Sequence, residues 1–358
     1  MRPPAKSMVR VTTLLLVALA FGLSPTQVFA ETAAISTAEG SSEQLAHDRL
    51  RIWANSPEVS VAIDNGKSRG FFTWHLRWEN CLAGSFVSTP EGVVIGTSRD
   101  GSPITASVTL QPGERQSWGA RPNVTGAYRF GVIASTYAPL PGEAVFNRLA
   151  RGIAARNTLF LMHLGDGVRE PEAAKLAEFR QNLSTFKFPT YCLPGEAEER
   201  NGGLKAWSQH FGEPQFSFRV GPDRFVTIAN GSGVLSPSQE KWLSTTLAEG
   251  RRSGARNIFV FANRPLVDIR PGKSLAMQDR TQVRRLLALF AKHRVHSVFG
   301  GHLRFFGSET RKGIRLVTTG GGGARPSLPT HRGGFHHWVR VDVDQNGRVA
   351  ITPERLTL

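Results

Sequence analysis

The sequence has very little cysteine, and the two cysteines are far apart. Cys81 and Cys192 are the only ones among 358 residues. This spacing excludes a cysteine-based zinc site, whose ligands come in closely spaced pairs. One disulfide between them is compatible with an oxidising compartment, and two buried thiols are the other interpretation. Both interpretations stay open at the level of the sequence.

Long apolar runs are absent beyond the first thirty residues. No later stretch is long and apolar enough to span a bilayer. Near the start, three basic residues precede an apolar run over residues 11–23, and Val28-Phe29-Ala30 has the small-residue pattern of a signal-peptidase site. The sequence therefore predicts a signal peptide over residues 1–30. We expect a bacterial protein that is exported to the periplasm or secreted, without a transmembrane segment after cleavage.

Acidic residues are also in short supply. The chain has 28 Asp and Glu against 44 Lys and Arg, a formal net charge of +16. Loss of the predicted signal peptide removes three cations and no anions, which leaves +13. Such a surface favours a ligand that bears phosphate, sulfate or carboxylate groups, or an anionic polymer of the cell envelope. No nucleic-acid-binding motif accompanies the charge.

The texture of the chain changes twice after residue 30. Residues 31–48 are mostly small or polar and predict a flexible lead-in. Residues 49–122 contain short alternating strands and turns, with no helical periodicity, and predict a small all-β sandwich of immunoglobulin-like form. Residues 123–358 form the larger predicted domain.

Apolar runs alternate with amphipathic segments in this larger domain, which indicates an α/β fold. The main predicted strands are residues 130–134, 159–164, 225–229, 258–262 and 298–299. The main predicted helices are residues 143–155, 171–186, 237–249 and 282–293. Polar loops that follow such strands meet at one edge of the sheet, where α/β proteins place their sites.

The order of these polar loops is informative. They are Ser135-Thr136-Tyr137, Gly165-Asp166, Gly195-Glu196-Ala197, Asn263-Arg264 and Gly301-His302-Leu303-Arg304. This succession resembles the calcineurin-like metallophosphoesterases, including purple acid phosphatase relatives, over residues 128–345. The resemblance implies a two-sheet β-sandwich flanked by helices, and a family activity in which two metal ions hydrolyse phosphate esters.

The site departs from the family pattern at most of its ligands. Ser135-Thr136-Tyr137 replaces the family's Asp-x-His, and Gly195-Glu196-Ala197 replaces Gly-Asn-His, so the family's catalytic histidine is Ala197. Of the seven family ligands, only Asp166 and His302 remain. One metal position would be offered Ser135, Tyr137, Asp166 and Arg304, which do not suit a cation because arginine cannot ligate one. We expect that position to be lost.

The second metal position keeps four oxygen or nitrogen donors, and two hypotheses stay open. Asp166, Glu196, Asn263 and His302 are candidate ligands for a single zinc, manganese or iron ion. Alternatively, Arg304 pairs with Asp166 or Glu196 and no metal binds.

Three functions follow from these alternatives. The first is a catalytically impaired pseudoenzyme that binds an anion through Arg264 and Arg304, with Ser135 and Tyr137 lining the pocket. The second is a phosphatase or phosphodiesterase with one metal. The third is a structural envelope protein that does not use the pocket.

Three other histidines are expected to be structural. His163 lies inside an apolar strand, which favours a core position. His336 and His337 precede a closing strand, where alternation points only one of them inward.

Overall fold

The computed structural model describes residues 33–66, 70–137, 142–270 and 274–356. The predicted signal peptide, residues 1–30, lies outside these ranges. Within them, no helix has the length and apolarity that a membrane span requires. The described residues form four β-sheets and six α-helices, arranged in two units.

Strands are the only regular elements among the described residues of the N-terminal unit. They are β1 (Ala34–Ala38), β2 (Gly40–Ala46), β3 (Arg49–Ala54), β4 (Ser60–Asp64), β5 (Phe72–Glu79), β6 (Phe86–Ser88), β7 (Val94–Thr97), β8 (Ile104–Leu110) and β9 (Arg115–Arg121). One sheet has the order β1-β4-β9-β6-β7, and the other has the order β2-β3-β5-β8. Side chains of both sheets share one buried core, which includes Trp74, Trp78 and Trp118.

The start of this unit differs from the sequence-based expectation. Residues 34–46 form β1 and β2, so the prediction of a flexible lead-in over residues 31–48 is wrong for this stretch. β1 pairs with β4 and β2 pairs with β3, and this pairing satisfies the backbone hydrogen-bonding groups of residues 34–46. The small and polar side chains of this stretch do not show the pattern of a strand. The immunoglobulin-like form is not confirmed, because β3 runs parallel to β5 whereas immunoglobulin sheets are antiparallel.

The C-terminal unit contains two sheets that pack face to face. Its strands are β10 (Tyr128–Ile133), β11 (Phe160–His163), β12 (Thr190–Cys192), β13 (Ser217–Val220), β14 (Asp223–Ile228), β15 (Ile258–Ala262), β16 (Ser297–Gly300), β17 (Phe306–Arg311), β18 (Ile314–Thr319), β19 (His337–Val343) and β20 (Val349–Arg355). The sheet orders are β12-β11-β10-β19-β20 and β13-β14-β15-β16-β18-β17. The shared core is rich in phenylalanine, including Phe130, Phe225 and Phe261.

Helices cover the outer faces of this sandwich. They are α1 (Gly142–Ala155), α2 (Ala173–Leu183), α3 (Glu196–Glu199), α4 (Leu204–Phe211), α5 (Pro237–Arg252) and α6 (Arg280–Lys292). Apolar faces of α5 and α6 pack on the six-stranded sheet, while α1, α2 and α4 pack on the five-stranded sheet. The predicted two-sheet sandwich flanked by helices is therefore confirmed.

Parallel strands bring the polar loops to one edge of the sandwich. β10, β11 and β12 are mutually parallel neighbours, as are β14, β15, β16 and β18. Their carboxyl ends therefore point the same way within each sheet, and the loops that follow them converge.

Two asparagines of the N-terminal unit bond to the edge of β12 that has no neighbouring strand. The side-chain amide of Asn55 donates to the carbonyl of Cys192 and accepts from its N–H, both at 2.8 Å. Asn80 does the same with Thr190, at 2.8 and 2.9 Å. These bonds satisfy backbone groups that an edge strand would leave free. Because β12 leads directly into the loop at Gly195, the N-terminal unit supports one wall of the site.

The cysteines do not link the two units covalently. Cys81 and Cys192 are both free and buried. Burial raises the pKa of Cys81 to about 12 and also raises the pKa of Cys192. The interpretation of two buried thiols therefore describes this structure.

Candidate functional site

The site is built on loops with an unusual backbone. Ser135, Tyr137, Asp166 and His302 all have φ between +48° and +60°. Residues other than glycine adopt this left-handed backbone conformation at a cost of about 1–3 kcal/mol each. Such residues cluster at functional loops. The loops also pack very closely. A Cβ at Gly195 would lie 2.4 Å from the backbone nitrogen of Asp166, so only glycine fits there.

Asp166 and His302, the two residues that the sequence resemblance predicts as retained ligands, contact each other directly. Nδ1 of His302 lies 3.0 Å from Oδ2 of Asp166, and the N–H of Ala197 donates to Oδ1 at 3.2 Å. Asp166 is fully buried. Burial by itself would raise the pKa of Asp166, but the hydrogen bond and charge of His302 outweigh it and hold that pKa below its usual value.

Glu196 lies on the other side of the same histidine. Its Oε2 is 3.3 Å from Nε2 of His302 and 3.1 Å from Nη2 of Arg264. His302 thus stands between two carboxylates, and both ring nitrogens can donate when the ring carries both protons. The expectation that Arg304 pairs with Asp166 or Glu196 is wrong, because His302 and Arg264 fill that role. Arg304 is exposed at the mouth of the pocket.

Arg264 is held in place by the backbone as well. Its Nε donates to the carbonyl of Gly231 at 2.7 Å and its Nη1 donates to that of Leu275 at 3.1 Å. The side chain is buried, so its charge acts in a region of low dielectric.

Asn263 uses both of its polar atoms to join two loops. Its Oδ1 accepts from the N–H of Glu196 at 3.0 Å, and its Nδ2 donates to the carbonyl of Leu164 at 2.8 Å. The residue is completely buried. The sequence suggested Asn263 as a metal ligand, but its Oδ1 already accepts a hydrogen bond from the backbone.

The donors do not fit a metal ion as they are arranged. Asp166, Glu196 and His302 are brought together as predicted, but they point at one another rather than at a common centre. Within the described ranges, no group of three or more His, Cys, Asp or Glu side chains is placed to hold a metal. At the other predicted metal position, the Ser135 hydroxyl is buried without a hydrogen-bond partner. The guanidinium of Arg169 lies over the ring of Tyr137. Burial, and then the charge of Asp166, raise the pKa of Tyr137, which keeps it neutral.

Glu198 is a site residue that the sequence reasoning missed. Its buried carboxyl accepts four backbone N–H groups at 2.7–2.9 Å, from Gly195, Asp166, Gly167 and Val168. Burial, and then the charge of Asp166, raise the pKa of this carboxyl against the effect of those donors. The signal in the sequence is the spacing, because Glu198 lies three residues after the N-cap Gly195 and its carboxyl accepts the Gly195 N–H at the start of α3.

A cavity of about 570 Å³ opens above these residues. Glu196 and His302 form part of its floor, with Tyr137, Leu275 and Ala324 also in its lining. Four arginines and one further carboxylate complete the lining: Arg169, Arg200, Arg304, Arg325 and Glu170. None of these four arginines forms an ion pair with a carboxylate among the residues that the structure describes.

The remaining histidines have structural surroundings. His163 is buried between Phe146 and Phe179 and is 3.0 Å from the Thr136 hydroxyl. Burial lowers its pKa to about 3, so the ring is neutral in the core. His337 is also buried, whereas His336 is partly exposed, as alternation predicted.

Comparison with known proteins places the fold. No family model matches this chain, and no curated protein matches it. Among solved structures, a purple acid phosphatase from yellow lupin (Lupinus luteus) seeds is 14% identical with a TM-score of 0.55, over 89% of this chain and 72% of that one. GAP50, the anchor in the inner membrane complex of Plasmodium, is 14% identical with a TM-score of 0.51, over 64% of this chain and 85% of that one. The chain has the fold of the calcineurin-like metallophosphoesterase superfamily.

Proposed function

We propose that this protein binds an anionic ligand in the cavity above Asp166 and His302, and that it does not hydrolyse phosphate esters at enzymatic rates. One observation carries the proposal: basic protein side chains occupy the surroundings of the two site carboxylates. His302 bridges Asp166 and Glu196, and Arg264 pairs with Glu196. Arg264 carries a fixed positive charge beside these carboxylates, and His302 adds a second one when its ring holds both protons.

The chemistry that remains favours binding over hydrolysis. A bridging hydroxide needs two metal ions, and the donors at this site do not converge on even one. The family's catalytic histidine corresponds to Ala197, which has no group that can protonate a leaving group. In contrast, arginines without carboxylate partners at a cavity mouth are well suited to phosphate, sulfate or carboxylate groups.

A thermal-shift screen with phosphate, sulfate, citrate, zinc, manganese and iron tests the proposal directly. We expect anions to raise the melting temperature in a concentration-dependent way, because a ligand that binds only the folded state stabilises it. Arg304→Gln should weaken binding about 10- to 150-fold, since a charge-assisted hydrogen bond contributes about 1.5–3 kcal/mol. Arg348→Gln is the matched control, because Arg348 is exposed and does not line the cavity.

Enzymatic turnover would contradict the proposal. Hydrolysis of bis(p-nitrophenyl) phosphate at ordinary rates with added metal, abolished by Asp166→Asn, would instead support the single-metal phosphoesterase. Stoichiometric metal in the purified protein that is lost on Glu196→Ala would support the same alternative.

A structural role is a second candidate. It is favoured by the similarity to GAP50, which is described as an anchor rather than as an enzyme. The absence of any anion effect on the melting temperature, together with no turnover, would favour this role.

We also propose export through the signal peptide. Mass spectrometry of the mature protein from a periplasmic fraction tests this proposal, because cleavage after Ala30 would make Glu31 the first residue.

A further inference from the structure

Two basic side chains lie at the floor of the cavity, His302 in its lining and Arg264 behind Glu196, and both already have an anionic partner. Nη2 of Arg264 and Nε2 of His302 both approach the same atom, Oε2 of Glu196, at 3.1 and 3.3 Å. The Glu196 side chain is 39% exposed, whereas those of Arg264 and His302 are 10% and 11% exposed. A solvent-accessible carboxylate therefore covers a nearly buried guanidinium and a nearly buried imidazole.

The Arg264 and His302 side chains cannot easily turn towards another partner. Arg264 is tied to the carbonyls of Gly231 and Leu275, and His302 is tied to Asp166. Arg264 and His302 approach the same oxygen from fixed positions, and together they form a site for an anion when the His302 ring holds both protons. Glu196 supplies that anion from within the chain, at the high effective concentration of a tethered group.

The cations nearer solvent have no such partner. Arg169, Arg200, Arg304 and Arg325 come from separate segments of the chain around the same cavity. Its volume of about 570 Å³ falls within the range of about 300–1,000 Å³ for pockets that enclose a whole small ligand. Several cations spread around such a space can contact several anionic groups at once.

We infer that Glu196 closes the deep anion position as an intramolecular competitor, so that the pocket selects a ligand bearing two or more anionic groups, held by the arginines at its mouth. This inference rests on the proposed function and specifies its ligand class. A single anion must displace a tethered carboxylate to reach Arg264 and His302. A ligand with several anionic groups gains contacts at the mouth without that displacement.

Isothermal titration with inorganic phosphate, tripolyphosphate and citrate tests this inference. We expect the wild-type protein to bind tripolyphosphate at least about tenfold more tightly than phosphate, a difference of about 1.4 kcal/mol. Citrate tests whether carboxylates replace phosphates. Glu196→Ala should raise the affinity for phosphate about tenfold and narrow the preference for tripolyphosphate.

Glu170→Ala is the matched control for Glu196→Ala. It removes one carboxylate from the lining of the same cavity, but Glu170 does not contact Arg264 or His302. If Glu196 acted only through general electrostatics, the two variants would raise phosphate affinity equally. Competition at a specific position predicts an effect of Glu170→Ala no greater than about twofold, since exposed charges are largely screened.

The outcomes separate the inference from the proposed function. Equal effects of the two variants, or equal affinities of the wild-type protein for phosphate and tripolyphosphate, would overturn the inference while anion binding itself stood. If none of the three anions bound to the wild-type protein or to Glu196→Ala, the proposed function would fail as well.

Discussion

Replacing Asn263 by alanine distinguishes a structural clamp from a metal ligand. The side chain joins the loops after β11 and β12 by bonding to the carbonyl of Leu164 and the N–H of Glu196. Alanine leaves the buried carbonyl of Leu164 and the partly buried N–H of Glu196 without this partner, and each buried group left unpaired costs about 1–3 kcal/mol. A water molecule in the vacated space would satisfy part of this need, so we expect a loss of about 2–4 kcal/mol in the free energy of unfolding.

Urea unfolding followed by tryptophan fluorescence, with EDTA present throughout, measures this loss. Hydrogen exchange of a peptide covering residues 195–199 gives a local readout, because the Glu196 N–H loses its acceptor. Asn346→Ala is the control, since Asn346 is exposed in a turn and should change stability by less than about 0.5 kcal/mol. A loss below that limit in EDTA, with unchanged exchange, would refute the clamp. A loss that appears only with added zinc, manganese or iron would make Asn263 a metal ligand.

Three further predictions concern the core, the interface and the thiols. Burial lowers the pKa of His163 to about 3 and that of His337 to about 4, so both rings are neutral when folded and take up protons on unfolding below about pH 6.5. The free energy of unfolding is therefore unaffected by these rings above that pH and falls as pH decreases, by about 2 kcal/mol for each ring at pH 5. His163→Gln should make the profile of unfolding free energy, measured between pH 7.5 and pH 5, less steep. An equally steep profile in the variant would contradict this. Asn80→Ala removes the two hydrogen bonds to Thr190, so it should lower the free energy of unfolding by about 1–3 kcal/mol and speed hydrogen exchange of β12. Unchanged exchange of β12 would contradict the role of Asn80 in holding this strand. Both cysteines should resist alkylation in the folded protein and both should react in urea without a reductant, whereas an unreactive pair in urea would reveal a disulfide.

The sequence by itself determined the larger architecture and the edge of the sheet that carries the site. Buried strands such as β15 (Ile258–Ala262) read as continuous apolar runs, because residues covered on both faces have no polar side to alternate with. Helix α5 begins where Ser236 and Pro237 form a strong start signal. The order of the polar loops then indicated the fold, since parallel strands deliver their following loops to one edge. These features depend on residues that are close together in the chain, so they can be recognised in a single sequence.

Only the tertiary structure decided which site residues are partners. His302 meets Asp166 across 136 positions of the chain, and Arg264 rather than Arg304 reaches Glu196. Asn263 was predicted as a ligand from its position in the motif, yet both of its polar atoms serve the backbone. Strands β1 and β2 were missed for the same reason, because their pairing with β4 and β3 is absent from local composition. Side-chain and strand partners are set by distance and direction in the folded chain, and these depend on how loops far apart in sequence pack together.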